Sequence, residues 1–304
     1  MADTAISTED LVKTYGRGSR GLAGLDLEVR TNEVYGYLGP NGAGKSTTIR
    51  ILLDLIRPTG GSVRVLGLDP RTDGVALRRR VGYLAGDFVV DGRQTSRQLL
   101  AYLGKLRGGV PAARITGLAD RLGLDLDRPI RGLSKGNRQK AGIVQAFMHS
   151  PELLVLDEPT SGLDPFLQQE FVHLVQEARR EGATVFMSSH VMSEVQQTAD
   201  RVGIIRDGRL VAVESVESLR AHALRSVTLT FDGEFDAAVF DRLPGFTDLS
   251  VTGATLHGRL SGHTDELLKA ASRYTVLDLL CEEPDLEEIF FHYYALPEAG
   301  HVAA

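Results

Sequence analysis

The sequence predicts an α/β fold class, in which parallel strands alternate with helices, followed by a smaller α+β unit. Three observations carry this prediction. An apolar run at residues 34–38 leads into a glycine-rich turn and then a helical pattern. A second apolar run, at residues 153–156, ends on two adjacent carboxylates. Beyond about residue 220, short alternating strands and short helical patterns replace the longer apolar runs.

The glycine-rich turn has the pattern of a phosphate-binding loop. Residues 39–46 match G-x-x-x-x-G-K-[ST], and a helix is predicted over residues 47–56. The glycines let successive backbone N–H groups face one anion, and the helix N-terminus adds partial positive charge. Lys45 can reach the β- and γ-phosphates of a nucleoside triphosphate, and Ser46 can ligate Mg²⁺. The predicted nucleotide-binding residues here are Gly39, Pro40, Asn41, Gly42, Ala43, Gly44, Lys45, Ser46 and Thr47.

Two acidic residues at a strand end supply the second part of the predicted chemistry. Asp157 and Glu158 follow the run Leu-Leu-Val-Leu, so they lie at an edge of the predicted sheet. In phosphate-loop ATPases the first such acid holds the Mg²⁺ site, and the second can take a proton from the attacking water. We therefore predict Asp157 as a metal-side ligand and Glu158 as the general base. Taken alone, the pair fits equally well a strand followed by a helix-starting Asp-Glu-Pro turn.

Two further segments carry polar residues that could face the same sheet edge. Residues 133–140 contain a serine and a glycine at the start of a helical pattern, where a hydroxyl and free N–H groups can bind an anion. The commoner role of Ser134 at such a position is a plain helix N-cap. His190 follows a strand predicted over residues 184–188. A lone histidine there is more often structural, but a strand parallel to that of Glu158 would end at the same edge.

These motifs, in this order, resemble the nucleotide-binding subunit of ATP-binding cassette (ABC) transporters over residues 5 to about 215. The resemblance implies that Tyr15 stacks on adenine. It also implies that His190 contacts the γ-phosphate and steadies the attacking water. Asp164 matches the aspartate of the loop that communicates between subunits. The implied cofactors are ATP and Mg²⁺.

The resemblance also identifies residues 133–137 as the family's signature segment, which reads LSGGQ. Ser134 and Gly136 are retained at the positions that touch phosphate, whereas Lys135 and Asn137 depart from the pattern. Because the phosphate-contacting positions are intact, we expect ATP hydrolysis to be retained despite these changes.

A larger departure follows residues 81–84. The family places a glutamine two residues after Leu84, and this chain has Gly86 there, followed by Asp87. Glycine has no side chain to ligate Mg²⁺ or to sense the γ-phosphate. Asp87 is the nearby substitute, one position out of register, so its metal role is left open.

The domain organisation follows from the motifs. We predict an ABC ATPase domain at residues 1–220, a phosphate-loop NTPase core with antiparallel strands near residues 6–13 and 24–29. A helical subdomain is inserted at about residues 92–150, where leucines recur at helical spacing. Residues 221–304 are predicted as an α+β accessory domain with the order β-α-β-β-α-β, a ferredoxin-like pattern. It ends in an amphipathic segment at residues 286–291.

Composition fits a protein that stays in the cytoplasm. The chain has 304 residues, a net charge of −6 and an isoelectric point of about 5.8, which argues against a general nucleic-acid binder. No apolar run approaches the ~18 residues that span a bilayer, and the N-terminus lacks a signal-peptide pattern. Cys281 is the single cysteine, so no intramolecular disulfide can form. Association with the inner membrane face would occur through a partner.

The C-terminal pattern is similar to that of the drug- and antibiotic-exporter branch, whose permease is a separate chain. The expected function is ATP hydrolysis that powers export of a drug, antibiotic or other amphiphilic compound. The expected partners are that permease and a second copy of this chain, which would form a head-to-tail ATP sandwich. The alternative is a soluble ABC-type ATPase that acts as a nucleotide-dependent switch without transport.

Overall fold

A computed structural model describes residues 4–16, 18–89, 92–222 and 224–282. The chain divides into two compact units between Glu214 and Ser215. The boundary near residue 220 stays a prediction. The amphipathic segment at residues 286–291 lies outside the described residues.

An antiparallel sheet of three strands opens the first unit, with strand order β2-β1-β4. The first two of these strands match those predicted near residues 6–13 and 24–29, and the third was not predicted. The strands are β1 (Thr4–Tyr15), β2 (Ser19–Arg30) and β4 (Gly60–Val65).

A second sheet of six strands carries the motifs, in the order β5-β6-β7-β3-β8-β9. The pairs β5/β6, β6/β7, β7/β3 and β3/β8 are parallel. Parallel strands that are buried on both faces have mostly apolar sequences. The positions of three of these strands were therefore predicted closely from the sequence. The strands are β3 (Val34–Leu38), β5 (Val81–Leu84), β6 (Leu153–Asp157), β7 (Thr184–Ser189), β8 (Arg201–Arg206) and β9 (Arg209–Ser215).

Helices cover both faces of this sheet. Consecutive residues of β6, Leu153 and Leu154, point to opposite faces of the sheet and enter two different hydrophobic cores. The helix predicted over residues 47–56 ends earlier, at Leu52, because Asp54 adopts a left-handed backbone with φ 54°. The helices and turns of this unit are α1 (Lys45–Leu52), α2 (Gly74–Arg80), α3 (Ser96–Leu106), α4 (Ala112–Arg121), a 3₁₀ turn (Ile130–Gly132), α5 (Lys135–Phe147), α6 (Pro165–Arg180) and α7 (Met192–Thr198).

The second unit has its own core and one antiparallel sheet, with strand order β11-β12-β10-β13. Phe231 and Phe240 pack in that core with ring centroids 5.6 Å apart. The elements follow the predicted order after an additional first helix. They are α8 (Val216–His222), β10 (Arg225–Phe231), α9 (Ala237–Asp241), β11 (Phe246–Thr252), β12 (Thr255–Leu260), α10 (Asp265–Ala271) and β13 (Val276–Glu282).

One half-buried histidine of the first unit is held in its neutral form. His149 follows the end of α5 and contacts the Arg107 guanidinium at the end of α3. Burial, and then the positive charge of Arg107, lower the pKa of His149 from 6.5 to about 4. Arg114 of α4 acts in the same direction, and a hydrogen bond with the Val81 backbone acts against it. His149 is therefore neutral in the folded protein at pH 7.

We expect the unfolding temperature to fall more steeply in wild type than in His149→Gln as pH drops from 6.5 to 4. The unfolded histidine gains a proton near pH 6.5, whereas the folded one resists protonation down to about pH 4. The stability that neutral His149 contributes is thus present above pH 6.5 and is lost as pH falls toward 4. Circular-dichroism melts across this window would measure the effect. His263→Gln, at an exposed position, is the control. Parallel curves for wild type and His149→Gln would contradict the prediction.

Candidate nucleotide-binding site

The loop between β3 and α1 has the backbone of an anion cradle. Gly42 and Gly44 have φ values of 85° and 116°, a region that glycine enters without strain. Gly39 is required for a different reason, since a Cβ there would lie 2.6 Å from the carbonyl oxygen of Ile205 on β8. The loop is therefore packed closely against the sheet, and its N–H groups stand at the N-terminus of α1.

Lys45, the first residue of α1, is 5% exposed. Its ammonium donates to the carbonyl oxygen of Gly39 at 2.6 Å and to that of Pro40 at 3.2 Å. Burial lowers the pKa of Lys45, and the negative charges of Glu158 and Asp157 act against that shift. The cation thus lies at the loop, beside the two carboxylates predicted to work with it.

Tyr15 lies next to the start of α1. Its hydroxyl is 3.3 Å from the hydroxyl of Thr47, and the ammonium of Lys13 lies 5.2 Å from the centre of its ring. The Tyr15 side chain is partly exposed. A flat aromatic surface beside the phosphate loop can stack on a planar base.

Asp157 and Glu158 stand where β6 ends, held by the neighbouring strand β7. The hydroxyl of Ser188 donates to Asp157 Oδ1 at 2.6 Å, and the Glu158 N–H donates to the Ser188 carbonyl at 3.1 Å. Asp157 is 6% exposed. Glu158 adopts a left-handed backbone, with φ 47°, which is costly for a residue with a Cβ. This conformation marks position 158 as a candidate functional position.

Two charged or titratable side chains, His190 and Lys45, lie beside the carboxylate of Glu158. The carboxylate oxygen Oε1 lies 3.2 Å from His190 Nδ1 and 3.8 Å from Lys45 Nζ. His190 follows directly after β7, so the parallel strands do bring it to the edge where Glu158 stands. The Glu158 side chain is 28% exposed and can reach water.

A cavity of about 310 Å³ opens at this edge. Four of the predicted residues line it, namely Ser46, Asp87, Asp157 and Glu158. Gly86 also lines it, and a Cβ there would lie 3.6 Å from the Asp157 carboxylate. Lys135, which the sequence analysis noted as a departure from the signature pattern, lines it too. The sequence analysis did not single out three other lining residues, because nothing in their local pattern differs from a helix surface, a strand or a turn. They are Arg50, Tyr83 and Ser161.

Comparison with known proteins identifies the family. A family model described as ABC transporter matches residues 22–161. The chain is 40% identical to the daunorubicin/doxorubicin resistance ATP-binding protein DrrA of Streptomyces peucetius, over 71% of this chain and 67% of that protein. It is 34% identical to the daunorubicin resistance ATP-binding protein DrrA3 of Streptomyces coeruleorubidus, over 96% of each chain. The chain belongs to the ABC transporter ATP-binding proteins.

A solved structure agrees with this assignment. The structure of an ATP-binding subunit of an ABC transporter matches with a TM-score of 0.67 and 28% identity, covering 71% of this chain and 92% of that one. The ABC ATPase core, an α/β fold with mixed sheets, is therefore present. Membership in the family means that the activity is ATP binding and hydrolysis within an ABC transporter.

The phosphate loop and the signature segment of this ABC ATPase each place one residue in the lining of the cavity, Ser46 and Lys135. Ser134 is the N-cap of α5, accepting from the Asn137 N–H at 3.3 Å, and it is exposed. Asp164 caps α6 by accepting from the Leu167 N–H at 3.1 Å, and it is exposed too. Neither residue lines the cavity, and neither does Gly136.

Lys135 is the one signature residue at the cavity. Its ammonium donates to the Ser161 hydroxyl at 3.4 Å, in the turn that follows Glu158. Gly136 packs against the same turn, since a Cβ there would lie 3.0 Å from the carbonyl oxygen of Gly162. Gln139 donates to the carbonyl oxygen of Pro159 at 2.8 Å. The signature helix α5 is therefore joined to the turn that follows β6.

Within the described part of the chain, no helix combines the length and apolar character needed to cross a bilayer.

Proposed function

We propose that this ABC ATPase powers the export of a drug, an antibiotic or another amphiphilic compound through a separate membrane permease. The relatives DrrA and DrrA3 are named for resistance to daunorubicin, and DrrA3 aligns with this chain over 96% of its length. The observation that carries the catalytic part of the proposal is the meeting of Lys45, Glu158 and His190 beside Asp157 at one sheet edge.

We propose the following residue roles from this geometry and from family membership. Glu158 acts as the general base, because its carboxylate is water-accessible and adjacent to the cation that binds the γ-phosphate. His190 orients the Glu158 carboxylate and contacts the γ-phosphate. Tyr15 stacks on adenine beside Thr47. The phosphates lie on the loop of residues 39–47, where the N–H groups and the start of α1 favour negative charge.

The residues at the cavity fit Mg²⁺. Ser46 and Asp157 supply a hydroxyl and a buried carboxylate, the oxygen ligands that this ion prefers. Mg²⁺ is usually held by one or two protein ligands together with substrate phosphates and water, and it neutralises charge on the phosphates. Asp87 lines the same cavity and is the proposed substitute for the glutamine absent at position 86.

We propose that a second copy of the chain completes each site. Ser134, Gly136 and Asp164 do not line the cavity beside Glu158, and family membership assigns their phosphate contacts to a second chain. A head-to-tail pair, related by a two-fold axis, would bring each signature segment over the partner's phosphate loop. Two nucleotides would then close the dimer, and hydrolysis would release it.

The remaining parts of the proposal concern architecture and location. Helices α3 to α5 form the inserted helical subdomain. The strand order β13-β10-β12-β11 supports a ferredoxin-like accessory domain, because it follows the 4-1-3-2 arrangement of a split β-α-β fold. The protein would lie at the inner face of the cell membrane, attached through its permease.

Transport would be tested in cells that lack their own anthracycline exporter. Co-expression of the chain with the membrane protein that co-purifies with it should lower the accumulation of daunorubicin, which is fluorescent. Lys45→Ala should abolish the effect, whereas Glu181→Gln, an exposed change at the end of α6, should preserve it. ATP hydrolysis without a membrane partner and without lower accumulation would favour the soluble switch.

A further inference from the structure

The outer edge of β5 is closed by side chains rather than by a strand. β5 is the terminal strand of its sheet, and its inner edge pairs with β6. On the outer edge, Arg107 Nη1 donates to the carbonyl oxygen of Val81 at 2.7 Å. The side-chain amide of Gln145 donates to the carbonyl oxygen of Tyr83 at 3.0 Å. Successive outward carbonyls of the strand are thus satisfied by two helices.

The two side chains are also joined to each other. Arg107 Nη2 donates to the amide oxygen of Gln145 at 3.2 Å, with the amide oriented so that both of its atoms find partners. Arg107 directly follows the last residue of α3, and Gln145 lies in the last turn of α5. One hydrogen-bonded pair therefore ties β5 to both helices.

The Arg107 guanidinium is held by neutral acceptors. Burial lowers the pKa of Arg107, and within the described ranges no carboxylate offsets that effect. Its acceptors are the carbonyls of Arg78 and Val81, the Gln145 amide and the His149 ring. A desolvated cation is costly, and neutral acceptors compensate for that cost only while they stay in place. The placement of α5 against β5 is therefore tightly specified.

The other ends of the same elements meet at the nucleotide cavity. β5 continues into Gly86 and Asp87, and α5 begins at Lys135, and all three residues line the cavity with Glu158. A shift of α5 along β5 would therefore move Ser134 and Lys135 relative to the catalytic carboxylates.

We propose that Arg107 and Gln145 are positioning residues of the ATPase cycle. They fix the signature helix relative to the strand that forms one wall of the cavity, and they act through that placement without touching nucleotide. The inference rests on the proposed function, since it assumes that Ser134 takes part in ATP turnover.

The first test is Arg107→Met in the full chain. We expect kcat to fall about ten-fold or more, because small misplacements of catalytic groups are costly. The KM for ATP should change less than about two-fold, because the phosphate loop and Tyr15 are untouched. Arg107→Lys keeps a donor for Val81 but loses the planar fork, so its kcat should lie between those of Arg107→Met and wild type. Arg97→Met is the matched control, on the same helix at an exposed pair with Asp127.

A second measurement separates positioning from stability. Gln145→Met removes the donor of the Tyr83 carbonyl and the link to Arg107, so it should lower kcat as Arg107→Met does. Both variants would be assayed at a temperature where circular dichroism shows them fully folded, and their kcat should stay low there.

A wild-type kcat for the fully folded Arg107→Met or Gln145→Met variant would overturn the inference, as would a kcat for Arg107→Met equal to that of Arg97→Met. A wild-type chain without ATP turnover would overturn the proposed function, and this inference with it.

Discussion

Glu158→Gln is expected to lose most ATP turnover, by a factor on the order of 10² or more, while it still binds ATP. The amide keeps the size of the side chain, and its oxygen can keep the contact that Glu158 makes with His190 at 3.2 Å. It cannot accept the proton of the attacking water. Because ATP then persists, the variant should accumulate as an ATP-dependent dimer. Phosphate release and light scattering with and without ATP would measure the two effects.

Two control variants are needed to interpret the result for Glu158→Gln. Lys45→Ala should fail at the earlier step, since Lys45 is the buried cation of the phosphate loop. Glu181→Gln, on the surface, should turn over ATP at the wild-type rate. Equal turnover in Glu158→Gln and wild type would remove Glu158 from the mechanism and leave its left-handed backbone without a catalytic explanation.

The core and the phosphate loop were predictable because their signals are local. Residues 34–38 and 153–156 are continuous apolar runs, the pattern typical of a strand buried on both faces. The loop needs glycine at fixed positions, and the structure shows the reason at Gly39, Gly42 and Gly44. The meeting of Glu158 with His190 followed from one further rule, that parallel strands end at the same sheet edge.

The rest depends on contacts that sequence spacing does not reveal. Arg107 lies in a Leu-Arg-Gly-Gly sequence that is typical of a solvated helix end, and its acceptor on β5, the carbonyl oxygen of Val81, lies 26 residues away along the chain. Strand β4 begins with two glycines, and it pairs with β1 only because the antiparallel sheet brings them together. The early end of α1 depends on the left-handed Asp54. Tertiary packing decides each of these cases.

A nucleotide site formed by the phosphate loop of one chain and the signature segment of a second chain leads to a prediction that a single-chain mechanism does not make. Lys45→Ala damages the phosphate loop, and Ser134→Arg places a large cation where the signature hydroxyl should meet phosphate. Each homodimer then has two damaged sites. In a mixed dimer, the intact loop of the Ser134→Arg chain faces the intact signature of the Lys45→Ala chain, so one site is restored. Both changes would be made in the Glu158→Gln background, so that bound ATP persists.

We expect neither variant alone to dimerise with ATP and the mixture to recover dimer partly. At equal amounts, random pairing makes about half of the possible dimers mixed ones, which sets the ceiling for recovery. Ser134 lies outside the cavity of its own chain, so Ser134→Arg should leave the ATP affinity of the monomer unchanged. That affinity, measured by equilibrium binding, is the control for folding. No dimer at any mixing ratio would contradict the head-to-tail arrangement, because one loop and one signature remain intact in every mixed pair.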